Sequence, residues 1–419
     1  MAERLASVDA LDVERFIRDG DTVTWAQACA EPVALTAHVM EHRASAGRFT
    51  CFVGLGLAGT VLPEHTDHVR VIAYTGAGRN SALSRLGLLE ILPSHYSELP
   101  LLLGEGRLAV DVVLVQLSPP DGHGRYSLGL GDEWLSAALE RARVVIAEVN
   151  DQVPWTHSRL LTAADLDVIV ETSHAPVEVA RWEPGDVEQR IAAHVGALVE
   201  DGDTLATGLG TLPEAILRRL TDHRDLGVHS GAIGDAVVDL VDAGAITNAR
   251  KPVDTGASVA ASLMGTRRLF AFAHENPLLQ LRDTRYTHDP ARLASIDRFV
   301  PITSAFEVDL TGQVNAEVAG GAYIGAVGGA MDFLRGARRS KGGLPIVALP
   351  ATAGTRSRIV ERLHGPVSTP RADGGVIVTE FGAADLRGLT LPERRRRMLA
   401  IAHPDHREQL EAAAAAAAI

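Results

Sequence analysis

Residues 201–220 read DGDTLATGLGTLPEAILRRL, and a similar stretch, DGDTVTWAQACAEPVALTAHV, begins at Asp19. Each stretch opens with Asp-Gly-Asp-Thr, continues through a short β-rich run and a loop of small residues, and then enters a helix opened by Pro213 or Pro32. Proline is favoured in the first turn of a helix because the backbone N–H that it lacks has no partner there. The two stretches predict one strand–loop–helix unit that occurs twice.

Two further pairs of similar segments keep the same order along the chain. SPPDGHGRYSLG, from Ser118, parallels EVDLTGQVNAEV, from Glu307, and ARVVIAEVN at 142–150 parallels LPIVALPAT at 344–352. The shared order favours two tandem copies of one fold, and chance similarity between strand–turn–helix units is the alternative.

Apolar runs such as VDVVLVQL, LDVIVET and LPIVALP alternate with helical patterns in each half of the chain. This alternation is typical of parallel strands that are buried on both faces and connected by helices. The predicted fold class is α/β, with two tandem, similar, open α/β domains whose sheets are mainly parallel. We expect an N-terminal domain over residues 1–180 and a C-terminal domain over 187–419, joined near HAPVEVARWEPGD (174–186), where proline and charge collect.

The composition excludes several classes of protein. The 419 residues carry a net charge of −13, which argues against a nucleic-acid surface, and the one dense basic run, Arg394–Arg397, follows Glu393 in a helical pattern typical of a solvated face. Cys29 and Cys51 are the only cysteines and suit no metal spacing, so a reduced protein without a metal site is expected. With no apolar run of 18 residues and no signal core, the sequence predicts a soluble, cytoplasmic protein that binds no membrane.

Two glycine-rich stretches differ in what they predict. GLGLAG (Gly54–Gly59) has the spacing of a dinucleotide turn, but the next strand, in HVRVIAYTG, lacks the expected acidic residue at its end, so no nicotinamide cofactor is expected. GGAYIGAVGGAMDF (Gly320–Phe333) places five glycines before a helix. Such a loop lets backbone N–H groups approach an anionic or carbonyl ligand, and a flexible turn is the alternative.

Polar side chains end one of the predicted buried strands. Glu148 and Asn150 stand at the end of ARVVIAEVN, and ligands of open α/β sheets bind beyond the carboxyl ends of strands. Both residues are therefore candidates for substrate positioning, and a structural hydrogen bond to a neighbouring loop is an equal alternative. The motifs alone predict a two-domain α/β enzyme with a glycine-rich anion site in the cleft between its domains.

The chain resembles the acetyl-CoA hydrolase/transferase family, and within it the 4-hydroxybutyrate CoA-transferases. The resemblance runs from about Ala30 to Leu410 and rests on collinear segments. These are SPPDGHGRYSLG, AEVNDQVPW, GLGTLPEAIL, LGVHSGAIGDAVVDL, FEVDLTGQVNAE, VGGAMDFLRGA, STPRADGGVIVTEFGAADLRG and AIAHPDHREQL. The resemblance implies two similar open α/β domains, a CoA thioester as substrate, and a homodimer or homotetramer.

The resemblance also implies a mechanism from which this sequence departs. In the family, a glutamate that follows His-Ser attacks the acyl-CoA carbonyl and then carries CoA as a thioester. Here His229 and Ser230 match, but Gly231 stands at the glutamate position. The family's Asn-His-Pro, whose asparagine helps to hold the thioester carbonyl, corresponds to His288, Asp289 and Pro290.

A glycine can store neither an acyl group nor CoA, whereas a carboxylate stores both. The leading hypothesis is therefore direct attack on the thioester by a small nucleophilic acceptor, in space left open beside Gly231. His288 is the first candidate for the general base and His229 the second, because imidazole titrates near neutral pH. The expected oxyanion and CoA-binding residues are Val327, Gly328 and Gly329 of the glycine loop, with Gly208 and Gly210 of GLGTLPEAIL.

Two other hypotheses stay open. A conventional acetyl-CoA hydrolase or carboxylate CoA-transferase could use a relocated carboxylate, and Asp235, inside the following helix, is the nearest in sequence. A non-catalytic relative would bind CoA without turnover. The expected partners are an acyl-CoA and a small-molecule acceptor, with no nucleic acid and no metal.

Overall fold

The computed structural model describes residues 2–181, 183–208 and 210–416. The chain folds into two compact units that are not continuous in sequence. Unit 1 comprises Met1–Ala180, Val259–Thr287 and Ala322–Gly328, and unit 2 comprises Arg181–Ser258, His288–Gly321 and Gly329–Ile419.

Unit 1 is built on a sheet of eight strands, all of them parallel. The central strand Val112–Leu117 is buried along its whole length, as its apolar, β-branched sequence predicts. In spatial order the strands are Glu3–Leu5, Val168–Thr172, Val144–Asn150, Val112–Leu117, Thr22–Trp25, Phe49–Val53, Val69–Ala73 and Glu90–Ile91.

Short helices and a continuous apolar core complete unit 1. Val23, Cys51 and Val71 of three neighbouring strands pack in this core with Leu35 of a covering helix. Cys29 and Cys51 are both buried free thiols. The α-helices are Val13–Phe16, Val33–Glu41, Asn80–Arg85, Leu99–Gly104, Leu135–Leu139, Arg267–Ala273 and Thr284–Thr287.

Unit 2 contains a sheet of six strands, of which the first five are parallel and the last is antiparallel. In spatial order these are Gly227–Val228, Thr204–Thr207, Phe299–Ser304, Ile346–Ala348, Val376–Thr379 and Gly382–Asp385. The helices of unit 2 are Asp186–Gly196, Thr211–Arg218, Asp235–Asp242, Pro290–Ser295, Ala330–Arg339, Leu391–Ile401 and Pro404–Ala416.

The remaining strands are short and lie outside the two large sheets. They are Tyr126–Ser127, Leu160–Leu161, Ala232–Ile233, Ser258–Ala260, Ser262–Leu263, Leu279–Leu281, Glu307–Asp309, Val314–Asn315, Val318–Ala319, Ala322–Tyr323, Thr352–Ala353, Arg356–Ser357 and Ile359–Val360.

Five strands of each large sheet follow the same order, which supports the duplication seen in the sequence. In each sheet the strand that begins in Asp-Gly-Asp-Thr is flanked by the next strand of the series on one side and by the third, fourth and fifth on the other. In unit 1 the order is 49–53, 22–25, 112–117, 144–150 and 168–172, and in unit 2 it is 227–228, 204–207, 299–304, 346–348 and 376–379. The boundaries 1–180 and 187–419 stay a prediction, because unit 1 also takes in two later segments.

The basic run of helix Leu391–Ile401 is only partly solvated. Thr390 and Glu393 form the capping box that begins this helix. Arg396 and Arg397 are exposed as predicted, but the prediction is wrong for Arg394, which is half-buried. Its guanidinium donates hydrogen bonds to the carbonyl groups of Thr311 and Arg371, and these contacts draw the side chain away from solvent.

Candidate active site

The segment that carries Gly231 runs from an edge strand of unit 2 into a helix. Strand Gly227–Val228 leads into His229 and Ser230, whose side chains are buried, and helix Asp235–Asp242 begins after Gly234. The Ser230 hydroxyl accepts a hydrogen bond from the Thr207 N–H at 3.2 Å and lies 2.8 Å from the Ala232 carbonyl oxygen. Ser230 therefore ties the bend to the neighbouring strand.

Two side chains hold the outer edge of the strand that precedes the bend. Asn248 Oδ1 accepts the Val228 N–H at 2.9 Å, and Lys251 Nζ donates to the carbonyl oxygens of Val228 and Ala257 at 2.8 and 2.6 Å. Burial lowers the pKa of Lys251 from 10.5 to about 8. These side chains make hydrogen bonds to the edge strand on the side where no further strand of the sheet lies, and so fix the backbone just before the bend. Their role was not predicted from the sequence.

The imidazole of His288 packs closely against the position where a side chain on residue 231 would start. A Cβ atom on Gly231 would lie 3.2 Å from His288 Nε2 and 3.6 Å from Phe333 Cε2. A Cβ atom on Gly329 would approach the same Nε2 atom to 2.6 Å. The expectation of open space beside Gly231 is therefore wrong at the Cβ position, because the imidazole packs against both glycines.

The environment of His288 sets its protonation state. The side chain is buried, its ring centroid lies 4.5 Å from that of Phe333, and desolvation, with a smaller repulsion from His229, lowers its pKa from 6.5 to about 3. At neutral pH the ring is therefore uncharged and only weakly basic. The roles of His288 and His229 as general bases stay predictions, and this pKa counts against His288.

Asp289 stabilises the start of the helix that follows His288. It is the N-cap of helix Pro290–Ser295, and its carboxylate accepts the backbone N–H of Arg292 at 2.7 Å. Pro290 stands at the first helical position, where no N–H is needed. The cap fixes the direction in which the chain leaves His288.

The glycine loop needs its glycines for two different reasons. Gly328 has a φ of +56°, a backbone conformation that other residues rarely adopt, and its carbonyl accepts the Tyr96 N–H at 3.1 Å within unit 1. Gly329, in unit 2, is the N-cap of helix Ala330–Arg339 and has no room for a side chain against His288. Val327 is half-buried. The oxyanion role of these three residues stays a prediction.

Gly208 and Gly210 lie before another helix of unit 2. Gly210 is the N-cap of Thr211–Arg218 with a φ of +121°, and a Cβ atom on it would contact nothing within 4 Å. A Cβ atom on Gly208 would lie 3.9 Å from Pro213. Gly210 therefore leaves space in front of this helix, and the role of both glycines in CoA binding stays a prediction.

Glu148 and Asn150 have internal partners in unit 1. The Glu148 carboxylate accepts the Leu35 N–H at 3.2 Å and lies 2.5 Å from His174 Nε2. Asn150 donates to the His174 carbonyl at 2.9 Å and accepts the Gln152 N–H at 3.1 Å. These bonds match the structural alternative, and substrate positioning by the two residues stays a prediction.

Unit 1 contains a buried polar network that was not predicted from the sequence. Gln27 Nε2 donates to Glu133 Oε1 at 2.5 Å, and the Tyr96 hydroxyl donates to the same oxygen at 3.0 Å. Gln27 Oε1 in turn accepts the Tyr74 hydroxyl at 2.7 Å. The available signal was an acidic pair, Asp132 and Glu133, inside the otherwise apolar stretch LGLGDEWLSAAL.

No group of three histidine, cysteine, aspartate or glutamate side chains in the described part of the chain is arranged to hold a metal ion. Among the described helices, none combines the length and apolar character that crossing a membrane requires.

Comparison with known proteins places this chain in a family. The family model of the acetyl-CoA hydrolase/transferase N-terminal domain matches residues 4–181, and that of the C-terminal domain matches residues 265–414. The chain therefore belongs to the acetyl-CoA hydrolase/transferase family. It is an acyl-CoA-dependent enzyme of the transferase or hydrolase type, as the sequence resemblance implied.

Several individual relatives are similar over nearly the whole chain. The 4-hydroxybutyrate coenzyme A transferase of Clostridium kluyveri is 38% identical over 94% of each chain. The succinyl-CoA:acetate/propanoyl-CoA:succinate CoA transferase of Fasciola hepatica is 39% identical over 81% of this chain and 73% of its own. Among solved structures, RipA from Yersinia pestis has a TM-score of 0.93 at 33% identity, covering 99% of this chain and 97% of its own.

Proposed function

We propose that this enzyme transfers an acyl group directly from CoA to a small nucleophilic acceptor, without an enzyme-bound intermediate at the bend. The observation that supports this proposal is the contact between Gly231 and His288. These are two positions at which the sequence departs from the family pattern. A glutamate has become a glycine, and the residue that packs against that glycine has become a histidine.

The contact supports the view that the imidazole of His288 takes up space that a glutamate side chain on residue 231 would use. It argues against a simple loss of the glutamate. An imidazole is larger than the asparagine side chain of the family pattern, and it packs where a glutamate on residue 231 would begin. Because protein interiors are close-packed, a cavity left at residue 231 would be destabilising unless a neighbour filled it. The pair of departures therefore fits a site rebuilt for a reaction that needs no carboxylate at residue 231.

Without a carboxylate at residue 231, the reaction left to this site is a single displacement, in which the acceptor attacks the thioester carbon directly. Thioester exchange between carboxylates needs a group that carries the acyl unit and then CoA, and Gly231 has no such group. Attack by an amine, a hydroxyl or water needs a bound thioester, stabilisation of the oxyanion and a base. Backbone donors of the kind expected at Gly328 and Gly329 each contribute about 3–4 kcal/mol in enzymes that use them, and holding both reactants together contributes several more.

Trapping experiments test the proposal directly. The native enzyme, incubated with acetyl-CoA and a panel of small amines and alcohols, is expected to release free CoA only in step with acylation of an acceptor. Borohydride treatment during turnover is expected to leave the protein mass unchanged. A borohydride-dependent loss of mass at any acidic side chain, as expected when a carboxyl-bound thioester is reduced to an alcohol, would contradict direct transfer, and so would CoA exchange between carboxylates.

The activities named for the relatives favour a second candidate function. The Clostridium kluyveri and Fasciola hepatica proteins are named as CoA transferases, at 38% and 39% identity. Carboxylate-to-carboxylate CoA transfer, or hydrolysis, would then depend on a carboxylate outside the bend. Exchange of labelled CoA between acetate and a second acid, together with a borohydride-trapped adduct, distinguishes this candidate from direct transfer.

A further inference from the structure

We propose that unit 2 contains a site for the phosphate groups of a small molecule, at the carboxyl edge of its six-stranded sheet. The site is a cavity of about 900 Å³ whose lining residues all belong to unit 2. Pockets that bind small molecules and cofactors usually have volumes of about 300–1,000 Å³. The proposal is independent of direct transfer, since it concerns neither Gly231 nor His288.

The cavity lies where the topology of the sheet places ligands. Glu307 follows the strand Phe299–Ser304, and Ala353 and Arg358 follow the neighbouring parallel strand Ile346–Ala348. In open α/β sheets, ligands bind beyond the carboxyl ends of the parallel strands. The position of the cavity is therefore the first observation that favours a ligand.

Three arginines of one short segment line this cavity, and these are Arg356, Arg358 and Arg362. Their guanidinium groups make no hydrogen bond or ion pair with any of the residues that the structure describes. A guanidinium presents five N–H donors in a planar fork that matches the oxygens of a phosphate group. Three such groups on one cavity favour a phosphate ligand over a neutral one.

Arg358 is held in place and only partly exposed. Its backbone N–H donates to the Ala351 carbonyl at 2.8 Å, and its carbonyl accepts the Val308 N–H at 2.9 Å. Desolvation lowers the pKa of its guanidinium, and the charges of Glu380 and Glu188 oppose that shift although neither forms an ion pair with it. A partly desolvated cation without a bonded counter-charge is unfavourable, and a bound anion would stabilise it.

The carboxylates at the cavity do not cancel the charge of the arginines. Glu307 Oε1 accepts the backbone N–H of His364 at 2.6 Å and the side-chain amide of Asn315 at 3.0 Å. His364 Nδ1 lies 2.8 Å from the other oxygen, so Glu307 is bonded within its own wall. Glu361 is exposed, where salt and water screen its charge. With three arginines against two glutamates, the cavity keeps a net positive charge.

Two sources could supply the phosphate groups. The bend that carries Gly231 follows strand Gly227–Val228 at the same edge of the sheet, two to three strands away from the cavity. At the usual spacing of neighbouring strands, this separation is about 10–15 Å. CoA carries its phosphates at the end remote from its thioester, so one CoA molecule along this edge could place them near Arg358. A free phosphorylated metabolite is the other source.

Calorimetry on the intact chain tests the site with two probes, inorganic pyrophosphate and acetyl-CoA. The double variant Arg356→Gln with Arg362→Gln, and the single variant Arg358→Gln, are each expected to weaken pyrophosphate binding at least about 10-fold, because charge-assisted hydrogen bonds are lost. Arg396→Gln removes an exposed positive charge from unit 2 outside the cavity, so it is the matched control. The control is expected to bind pyrophosphate as the native protein does.

The two probes together identify the source. If CoA is the ligand, acetyl-CoA displaces pyrophosphate, and the variants raise the Kd for acetyl-CoA by a similar factor. If a free metabolite is the ligand, both probes bind at once and the variants leave the Kd for acetyl-CoA unchanged.

Two results would overturn the site. One is native-like pyrophosphate binding in the double variant, with folding confirmed by circular dichroism. The other is no pyrophosphate binding by the native protein at millimolar concentration. Both results leave direct transfer standing, because acylation of an acceptor decides that proposal separately.

Discussion

The Nε2 atom of His288 lies 3.2 Å from the position of a Cβ atom on Gly231. A contact of this length is tighter than normal van der Waals contact, so any side chain at residue 231 requires the imidazole to move. The resemblance to the family implies a glutamate at 231 and an asparagine at 288, and the contact between Gly231 and His288 couples the two positions. The first prediction follows from this coupling.

Gly231→Glu alone is expected to destabilise the protein by about 1–3 kcal/mol, because it overpacks the site against His288. The double variant Gly231→Glu with His288→Asn removes the overlap and is expected to recover that stability. It is also expected to gain CoA exchange between carboxylates. Denaturant unfolding and labelled-CoA exchange measure the two effects.

The single variant His288→Asn serves as the control for this pair. The coupling would be refuted if the effects of Gly231→Glu and His288→Asn on the free energy of unfolding were simply additive. A single Gly231→Glu variant as active towards its acceptor as the parent would count against direct transfer.

The lowered pKa of His288 predicts how the free energy of unfolding changes with pH. Its pKa is about 3 in the folded protein and 6.5 unfolded, so the unfolded state binds more protons between these values. The contribution of this residue is fully present above pH 6.5 and falls by about 1.4 kcal/mol per unit as the pH decreases towards 3. Denaturant unfolding of the native protein and His288→Asn between pH 4.5 and 7.5 measures the difference.

The variant is expected to lose less stability on acidification than the native protein. His364→Gln is a suitable control, because this histidine side chain is 79% exposed. Parallel stability curves for the native protein and His288→Asn would show that the imidazole is not held neutral.

Lys251 is expected to be essential for the strand that precedes the bend. Lys251→Met leaves the buried carbonyls of Val228 and Ala257 without their donor, at a cost of about 2–4 kcal/mol in the free energy of unfolding. The lysine has a pKa of about 8 when folded and 10.5 unfolded, so the cost of burying its charge is relieved as pH rises from 8 to 10.5.

Unfolding measured between pH 7.5 and 10 should therefore show a rise in the contribution of this residue that is absent from Lys251→Met. Lys341→Met, at an exposed lysine of the same unit, is the control. An equal pH dependence in the native protein and Lys251→Met would contradict the assignment.

Glu148 is expected to act on stability and not on substrate affinity. Its carboxylate accepts the Leu35 N–H and contacts His174, so Glu148→Ala leaves a buried donor unpaired and costs about 2–4 kcal/mol. The Kd for acetyl-CoA, measured by calorimetry, is expected to stay within twofold of the native value. A large loss of affinity in a variant that still folds would instead support substrate positioning.

Much of the architecture was predictable because its signals are local. The apolar runs at 112–117 and 144–150 form parallel strands, as their β-branched sequences indicate, and the Asp-Gly-Asp-Thr stretches begin corresponding strands of the two sheets. The family could be inferred from motifs alone, and the comparisons confirm it. The partial burial of Arg394 was not predictable, because its carbonyl partners come from distant turns.

The sequence by itself determined the α/β class, the duplicated strand order and the presence of glycine at residue 231, because strand periodicity and residue identity are properties of short segments. Only the tertiary structure decided that His288 packs beside Gly231 and that Glu133 is buried and hydrogen-bonded by Gln27 and Tyr96. Residues far apart in sequence meet only through packing, and desolvation depends on everything around a group, so neither the contact nor the shifted pKa of His288 can be inferred from a local pattern.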